Sequence, residues 1–438
     1  MNKTYPQAWF ALFLLVLLRT AVSVFQYTFS VIPTITSHYF DKSLSIVNWL
    51  TNVQCIVYVI LSFFTGYIFE TLGVKRSILV SGFLCALGSA IRMGQIVGGA
   101  ASPMALNIMT MFASTWFTEN LRATAGVFVA SNYGGILVMF IVPTIASDEA
   151  DMSKVIHLVT GVCVIAFLPL FLMPAKPPTP PNSVQDTERP PFLKGLVMLS
   201  KNFHFWVLFF IHAFNVGLSI AFCALFTQIV NPHGYSDAEA GQLNALAIIA
   251  GTLGCSVAGP VLDRTKQHTL FLRIIAPMVF LTNVAFVFII PQGSFASVLF
   301  IMTMNQFFLS FLVPVVIELG SETSYPVAES TTNSLLWQGA QVFGFVFVLV
   351  MDAMRDISGI PANNMIHALI FQAAASGLIA VLGFIFHGKM ARSEAMKWQQ
   401  SLDQQRAADK NTENQLSLGS YPISSVFESS IKAKTNQQ

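Results

Sequence analysis

Amide and aromatic side chains recur within stretches of the sequence that are otherwise apolar. Burying such groups in hydrocarbon is costly, so within membrane spans they usually face a cavity or the interior of a helix bundle. Tyr27 directly follows Gln26, and together they could offer an aromatic face and an amide to a small cation. The residues that we predict on these grounds to bind a solute are Gln26, Tyr27, Asn132, Tyr133, Asn215, Gln338 and Gln341. The alternative for each of them is that it joins neighbouring helices by hydrogen bonds.

Ionisable groups within apolar stretches are the second set of candidates. Arg19 lies in the first stretch and His212 in the seventh, where a histidine is either a buried interior residue or part of a proton relay. Glu318 lies near the end of the tenth stretch and is followed by Glu322 and Glu329. These carboxylates predict a gate or a helix cap as well as a substrate contact.

Composition excludes several other functions. Hydrophobic residues make up 54% of the chain and charged residues 10%, and the net charge of +2 lacks the basic excess of a nucleic-acid-binding protein. The five cysteines lie in apolar stretches without the spacing of metal ligands or of a disulfide framework. The sequence contains neither a nucleophile elbow nor a phosphate-binding loop, so we expect no enzyme, no metal and no cofactor.

Twelve apolar stretches of about 20 residues are long enough to cross a bilayer. We place these spans, numbered one to twelve, at 9–32, 47–69, 77–93, 94–117, 124–146, 155–173, 205–230, 240–262, 269–290, 295–319, 332–351 and 366–386. The predicted fold class is therefore an all-α membrane protein with twelve transmembrane helices. We expect an N-terminal six-helix bundle at 1–173, an exposed Pro-rich linker without helical period at 174–204, a C-terminal six-helix bundle at 205–387 and a disordered tail at 388–438.

A short charged segment occurs once in each half of the chain. Residues 66–76 separate spans two and three, and residues 259–266 separate spans eight and nine; each has a glycine, apolar residues, an acid and a basic cluster. The glycine would let two helices approach closely, and the acid can pair with the bases. The spacing resembles the loop between the second and third helices of major facilitator superfamily transporters, with Glu70 where Asp is commoner. The residues that we predict to control conformational change are Gly66, Glu70, Gly73, Lys75, Arg76, Arg122, Gly259, Asp263, Arg264, Lys266, Glu318, Glu322 and Glu329.

Basic residues are concentrated in alternate loops. If the N-terminus is inside, the opposite side holds only Lys42, Arg92, Lys154 and Arg355 near the spans. The positive-inside rule therefore predicts that both termini are cytoplasmic. We expect a monomer in the plasma membrane, in contact with lipid and with a small-molecule substrate.

The junction between spans three and four is unusually short. Together the two spans occupy residues 77–117, which leaves almost no loop between two helices of ~20 residues. Either both helices are short there, or the chain lacks a segment after Met93.

Several motifs carry a narrower resemblance. Residues 318–329, Glu-Leu-Gly-Ser-Glu-Thr-Ser-Tyr-Pro-Val-Ala-Glu, and Gln-Val-Phe-Gly at 341–344 are similar to a signature of solute carrier family 49, the feline leukaemia virus subgroup C receptor-related family. Further matches at 48–50, 87–93, 116–117, 120–125 and 259–266 extend the resemblance over nearly all of 9–386. The resemblance implies a major facilitator superfamily fold with two six-helix bundles. It also implies transport of choline and ethanolamine, with haem export proposed for some members.

The resemblance implies a choline cage of which this chain keeps part. The tryptophan of the family's first helix falls on Tyr27, and the glutamine of its eleventh helix falls on Gln341. The glutamine of its fifth helix falls on Tyr133, and the tyrosine of its seventh helix falls on Ile220, which has no π face. Phe222 lies close to that position and completes the predicted substrate-binding set. No Cys-Pro pair or exposed histidine cluster supports haem.

The sequence therefore predicts a transporter that moves a small organic solute by alternating access, with the two bundles rocking about a midplane site. A choline- or ethanolamine-like amine or a haem-related solute is what the resemblance implies. The alternative, from another class, is a transport-inactive membrane receptor or scaffold that acts through its linker and tail. Uptake into proteoliposomes separates the two.

Overall fold

The computed structural model describes most of the hydrophobic part of the chain. The described residues are 4–91, 94–118, 121, 125–126, 128–129, 132–146, 148–177, 192–291, 294–388, 390–395, 398, 401 and 405. Within helices, the side chains of Gly66, Thr110, Ser114, Glu70, Phe192, Leu193, Asp263 and Ser330 lie outside this description. The chain forms two units, Met1–Gly388 and Lys389–Gln438. Most of the predicted tail lies outside the described residues. Residues 391–395 of the tail are described, and they are helical.

The first unit is built from α-helices. In chain order they are α1 Pro6–Val31, α2 Pro33–Phe40, α3 Leu44–Ala90, α4 Gln95–Gly99, α5 Ala101–Trp116, α6 Tyr133–Ile145, α7 Met152–Phe167, α8 Phe192–Ser200, α9 Phe203–Val230, α10 Asp237–Thr265, α11 His268–Ile289, α12 Phe295–Thr323, α13 Glu329–Ala353 and α14 Ile366–Ile385. Short 3₁₀ turns lie at Glu149–Asp151, Leu168–Leu172 and Asn231–His233. The described residues contain no β-strand, only an isolated bridge between Asp356 and Asn364.

Ten helical segments within the described residues are long and apolar enough to span a membrane. Two of them, Leu44–Thr65 and Thr71–Ala90, are arms of α3. Many large apolar side chains on these helices stay exposed, as expected of surfaces that face lipid. The predicted spans four and five are the exceptions. Span four is divided into α4 and α5, and in span five the described helical residues are 125–126, 128–129 and α6.

Local signals account for the helix boundaries. Pro6 stands in the first turn of α1, and Pro33, which begins α2, follows directly after the end of α1. Asn202 caps α9 by accepting a hydrogen bond from the backbone N–H of Phe205 at 3.1 Å. At the start of α10, Ser236 and Glu239 form a reciprocal capping box. These four helices therefore begin where the sequence supplies a proline or a side-chain acceptor.

The segment predicted as a loop at 66–76 is almost entirely helical. Helix α3 runs through it, and the only non-helical residue inside α3 is Gly73, with φ 73° and ψ 172°. A left-handed φ at this point favours glycine, because other residues carry a Cβ that clashes there. The two spans are thus joined by one kinked residue instead of a loop.

Three glycines, Gly88, Gly94 and Gly98, allow close backbone packing at the short junction between spans three and four. A Cβ on Gly88 would lie 2.3 Å from the backbone nitrogen of Gly98, and a Cβ on Gly94 would lie 2.2 Å from the carbonyl oxygen of Gly88. The backbones of α3 and α4 can therefore touch without a side chain between them. The prediction that both helices are short does not hold for span three, since Thr71–Ala90 has 20 residues. Span four instead begins with the five-residue α4 and continues as α5.

The C-terminal part of the linker departs from the prediction. We expected no helix at 174–204, but α8 occupies Phe192–Ser200 and is packed against the second half of the molecule. Leu199 of α8 lies in one hydrophobic cluster with Phe205 of α9, Val327 and Leu336. Nine residues are too few to stand out as a helical period, and this contact with α9 and α13 stabilises the helix.

Candidate functional site

Tyr27 lies at the boundary between the two halves of the molecule. Its side chain is 9% exposed and belongs to a hydrophobic cluster built largely from the first half. The same cluster contains Cys223 of α9 and Ala245 and Ile248 of α10, which belong to the second half. An aromatic ring in this position can contact a solute that moves between the halves.

Asn132 is brought beside Tyr27 by close packing of α6 on α1. A Cβ on Gly134 would lie 2.0 Å from the carbonyl oxygen of Thr20, so only glycine permits this approach. Asn132 caps α6 by accepting a hydrogen bond from Gly135 N at 3.1 Å, and its side chain lies next to the Tyr27 hydroxyl. The structure therefore places one predicted pair, Tyr27 and Asn132, together. Gln26 and Tyr133, the neighbours of this pair, are partly exposed.

The predicted site residues of the second half lie on α9 and α13. Asn215 is 1% exposed; its Nδ2 donates to the carbonyl oxygen of Leu309 at 2.9 Å, while its Oδ1 has no partner among the described residues. Gln338 and Gln341 are one turn apart on α13 and are each 8% exposed. No described hydrogen bond joins either glutamine to Tyr27 or to Asn132. Asn215 thus helps to join α9 to α12 at the same time as it offers a buried acceptor.

Phe222 occupies a different environment from Tyr27. Its ring lies 5.3 Å from the ring of Phe226 and 5.2 Å from the ring of Phe286, measured between centroids. These contacts hold it in the aromatic core between α9 and α11. Its assignment to the substrate site stays a prediction, and its surroundings favour core packing.

A polar network joins the halves at the end of the molecule where α3 begins and where α9 and α13 end. It consists of Asn48 from the first half and Gln228, Asp352 and Arg355 from the second; we call it the Asn48 network. Gln228 Nε2 donates to Asn48 Oδ1 at 2.7 Å, and Asn48 Nδ2 donates to Asp352 Oδ1 at 3.0 Å. Arg355 Nη2 donates to Asp352 Oδ1 at 2.6 Å and also to Gln228 Oε1.

The Asn48 network is nearly closed to water. The side chains of Arg355 and Asp352 are 7% and 12% exposed. A buried ion pair needs further hydrogen bonds to offset its desolvation, and here the two amides supply them. Gln228 is not among the predicted site residues, and from the sequence Arg355 stood out only as a basic residue near a span. Their partnership could not be found there, since Asn48 lies 304 residues away from Asp352 along the chain.

Other contacts between the halves lie at this same end. Trp49 and Phe345 form an edge contact with ring centroids 5.9 Å apart. Thr227 Oγ1 donates to the carbonyl oxygen of Val31 at 3.4 Å. Helix α10 also packs closely on α6 here: a Cβ on Gly241 would lie 2.4 Å from the carbonyl oxygen of Met139. We call this end, from the Asn48 network to these three contacts, the sealed end.

The predicted gating residues of the first half stand around the α3 kink. Gly73 forms the kink, Lys75 Nζ donates to the carbonyl oxygen of Phe171 at 3.3 Å, and Arg76 is exposed. The side chains of Gly66 and Glu70 and the whole of Arg122 lie outside the described residues. Lys75 therefore binds the end of span six within its own half.

The matching residues of the second half lie at the C-terminal end of α10. Lys266 takes a left-handed conformation, and its N–H donates to the carbonyl oxygen of Leu262 at 2.8 Å. Arg264 is exposed, and the side chain of Asp263 lies outside the description. The close approach predicted for Gly259 is wrong for the described residues, since outside its own helix backbone none of them has an atom within 4 Å of the position that its Cβ would take.

The three predicted carboxylates differ in burial. Glu322 is 2% exposed near the end of α12, Glu318 is half-buried one turn earlier, and Glu329 begins α13. Each takes part in at least one polar or electrostatic interaction. Glu329 also has the sign that a helix N-terminus favours. For Glu318 the three predicted roles, a gate, a helix cap and a substrate contact, all remain predictions.

A separate pocket, partly open to its surroundings, lies in the first half. It is lined by Phe25, Thr28, Phe29, Phe40, Gly88, Ser89, Ile91, Gly94, Gln95, Ile156 and Val159. None of the predicted substrate-binding residues lines it. We do not assign the solute to it.

Known proteins share this fold and parts of this sequence. The family model described as Major Facilitator Superfamily matches residues 8–349. Over 381 residues the chain is 28% identical to Solute carrier family 49 member A3 of Xenopus tropicalis, which covers 80% of this chain and 79% of that protein. Over 396 residues it is 24% identical to Choline/ethanolamine transporter FLVCR2 of Homo sapiens, covering 84% of this chain and 75% of that protein.

A solved structure agrees with the helical architecture. A D-xylose-proton symporter superposes with a TM-score of 0.64 at 13% identity, covering 87% of this chain and 98% of the symporter. At this identity the match shows the fold alone. The predicted fold is confirmed, and so is the predicted similarity to solute carrier family 49.

Proposed function

This chain belongs to the Major Facilitator Superfamily, a family of integral multi-pass membrane transporters, and from that premise we propose that it carries a small organic amine by alternating access. The observation that carries the proposal is the sealed end, where the Asn48 network joins the two halves through hydrogen bonds that can break and re-form. Alternating access needs such reversible contacts, because each half must separate from the other on one side at a time.

The substrate class is supported by the relatives and by the site. A protein named Choline/ethanolamine transporter FLVCR2 is 24% identical over most of this chain. Tyr27 and the amide of Asn132 meet at the boundary between the halves, and they can offer a ring face and a hydrogen-bonding group to an ammonium. Gln338 and Gln341, each 8% exposed, are the proposed contacts from the second half. We do not extend the proposal to haem.

Orientation and assembly are part of the proposal. The basic loops support cytoplasmic termini, and with this orientation the sealed end faces outward. We also propose that the protein is a monomer in the plasma membrane and has no catalytic activity. Tags at residues 2 and 430 should both resist protease added to intact cells. Digestion of one tag alone would overturn the count of twelve spans, and digestion of both would reverse the orientation.

Transport is tested with purified protein in proteoliposomes. Radiolabelled choline, ethanolamine, glycine betaine and phosphocholine are the probes, and at least one of them should enter faster than into protein-free liposomes. The variant Trp49→Cys/Phe345→Cys places two cysteines across the sealed end, where the native ring centroids lie 5.9 Å apart. Mass spectrometry checks that oxidation has joined the two thiols before uptake is measured. Oxidation should stop uptake, and a reducing agent should restore it.

A crosslink within one half is the matched control. Phe214 and Phe343 both belong to the second half, and their ring centroids lie 4.8 Å apart. Oxidised Phe214→Cys/Phe343→Cys should transport as its reduced form does. If no probe enters through folded protein, the receptor or scaffold alternative takes the place of the transporter. If uptake survives the cross-half disulfide, alternating access at this end is excluded.

A further inference from the structure

Arg19 is a charge at the centre of a membrane span. It lies midway along α1, Pro6–Val31, which contains no other charged residue. With a rise of 1.5 Å per residue, either end of the helix is about 18–20 Å away, beyond the reach of a side chain that would extend to the membrane surface. Placing arginine at this depth costs several kcal/mol unless protein or water compensates its charge.

Within the described residues, two of the three guanidinium nitrogens receive no such compensation from a hydrogen bond. Arg19 Nε and Nη1 are buried and have no hydrogen-bond partner among the described residues. The ion pairs described elsewhere use other carboxylates: Glu149, Asp151 and Asp352. An arginine offers five N–H donors and stays protonated in proteins, so the charge cannot be relieved by loss of a proton.

The polar groups near Arg19 are engaged elsewhere. The Thr20 hydroxyl donates to the carbonyl oxygen of Val16 at 2.8 Å, and the Tyr58 hydroxyl donates to Asn107 Oδ1 at 2.7 Å. The hydroxyls of Tyr58 and Tyr27 are near enough to Arg19 to interact with it electrostatically, without a described hydrogen bond. Arg19 therefore lies on the same helix as Tyr27, the proposed amine contact. Its Nε and Nη1 groups have no hydrogen-bond partner among the described residues.

We propose that Arg19 binds an oxyanion of the substrate, a carboxylate or a phosphate, so that the transported amine is zwitterionic. The inference rests on the proposed function, because it names the substrate class of that same proposed site. A guanidinium fork matches the two oxygens of either group and forms charge-assisted hydrogen bonds with them. A solute that carries only a positive charge would face an unneutralised arginine and bind less well.

Three probes with the same trimethylammonium group test the assignment. Choline ends in a hydroxyl, glycine betaine in a carboxylate and phosphocholine in a phosphate. Ligand-dependent thermal stabilisation of the purified full chain gives the three affinities. We expect betaine or phosphocholine to bind about 10- to 100-fold more tightly than choline, and the stronger of the two identifies the oxyanion.

Arg19→Gln removes the charge and should abolish that preference, while Arg19→Lys keeps the charge without the fork and should keep part of it. Without ligand, Arg19→Gln should unfold at a higher temperature than the parent, because it relieves an uncompensated buried charge. Arg273→Gln is the matched control, since Arg273 already donates to the carbonyl oxygen of Phe386 at 3.2 Å. It should leave the preference unchanged.

The outcomes separate this inference from the proposed function. If choline binds as tightly as both oxyanion-bearing probes, or if Arg19→Gln keeps their preference, Arg19 is not the oxyanion site. Transport of choline by the parent protein would then still support the amine transporter. If neither betaine nor phosphocholine stabilises the protein, the assignment of Arg19 is overturned as well, whatever the uptake assay shows.

Discussion

Tyr27 and Phe222 show how the surroundings of a ring decide its role. Both are buried aromatic residues in spans that approach the boundary between the halves. Phe222 is held by Phe226 and Phe286, so its removal would mainly open a cavity in the core. Tyr27 is flanked instead by the amide of Asn132 and by Cys223 of the opposite half. Of these two rings, Tyr27 is the one that has polar neighbours at the boundary.

Replacing Tyr27 should therefore weaken amine binding without unfolding the protein. A cation–π contact contributes about 0.5–2 kcal/mol, so Tyr27→Ala should raise the dissociation constant for a bound amine by roughly 2- to 30-fold. Tyr27→Trp keeps a ring face and should bind nearly as the parent does. Ligand titration of the purified variants measures both.

An exposed tyrosine is the control for Tyr27. Tyr67 is 71% exposed on α3, and Tyr67→Ala should leave the dissociation constant unchanged. Equal amine binding by Tyr27→Ala and the parent protein would show that the Tyr27 ring only fills space.

The sequence predicts single site residues better than the contacts between them. Tyr27 and Asn132 could be singled out because each is a polar group in an apolar run. The Asn48 network could not, since a hydrogen bond between Asn48 and Asp352 depends on the packing of α3 against α13. Arg19 was visible as a charge in an apolar run, but its lack of a described partner is a property of the folded chain.

At the scale of helices, glycines decide where two backbones can touch. Gly88 lies where α3 meets α4, and a Cβ there would come within 2.3 Å of the Gly98 nitrogen. Gly259 lies in α10, and among the described residues no neighbouring helix has an atom within 4 Å of its Cβ position. The two glycines look alike in sequence and differ only in what is packed against them.

Gly88→Ala should destabilise the protein, and Gly259→Ala should not. Overpacking of this kind costs about 1–3 kcal/mol, because the backbone of α4 must move away. An alanine at Gly259 instead favours the helix by up to about 1 kcal/mol. Thermal unfolding in detergent should give a lower midpoint for Gly88→Ala and an unchanged or higher midpoint for Gly259→Ala. Equal midpoints would show that α3 and α4 do not touch at Gly88.

Helix existence was predictable where the apolar runs are long, and less so where they are interrupted. Most of the spans follow from composition, because nothing except lipid or protein can surround so many apolar residues. The kink at Gly73 replaced a predicted loop, since one residue with positive φ suffices to turn the chain. Helix α8 was missed because contacts with α9 and α13 stabilise its nine residues.

For the whole molecule, the balance between the halves depends on the sealed end. The Asn48 network contains one ion pair with 7% and 12% exposed side chains, and its link to the first half is made by a single amide. Removal of that amide breaks the cross-half hydrogen bonds and leaves Asp352 paired with Arg355. The conformer with the sealed end closed then loses stability relative to the conformer in which this end is open.

Asn48→Ala should shift the protein towards opening at the sealed end. Each lost hydrogen bond contributes about 0.5–1.5 kcal/mol, so two of them should change the ratio of conformers by roughly 5- to 150-fold. Spin labels on cysteines at Ser45 and at Ile357, both exposed, measure the distance across this end in a background without the five native cysteines. A longer distance should gain population in Asn48→Ala. Lys154→Ala is the control, because it removes an ion pair of 2.6 Å that lies within the first half. If the Ser45–Ile357 distance distribution is the same in Asn48→Ala as in Lys154→Ala and in the parent, the network does not hold the halves together, and the seal must depend on the helix packing at Gly241 and Trp49.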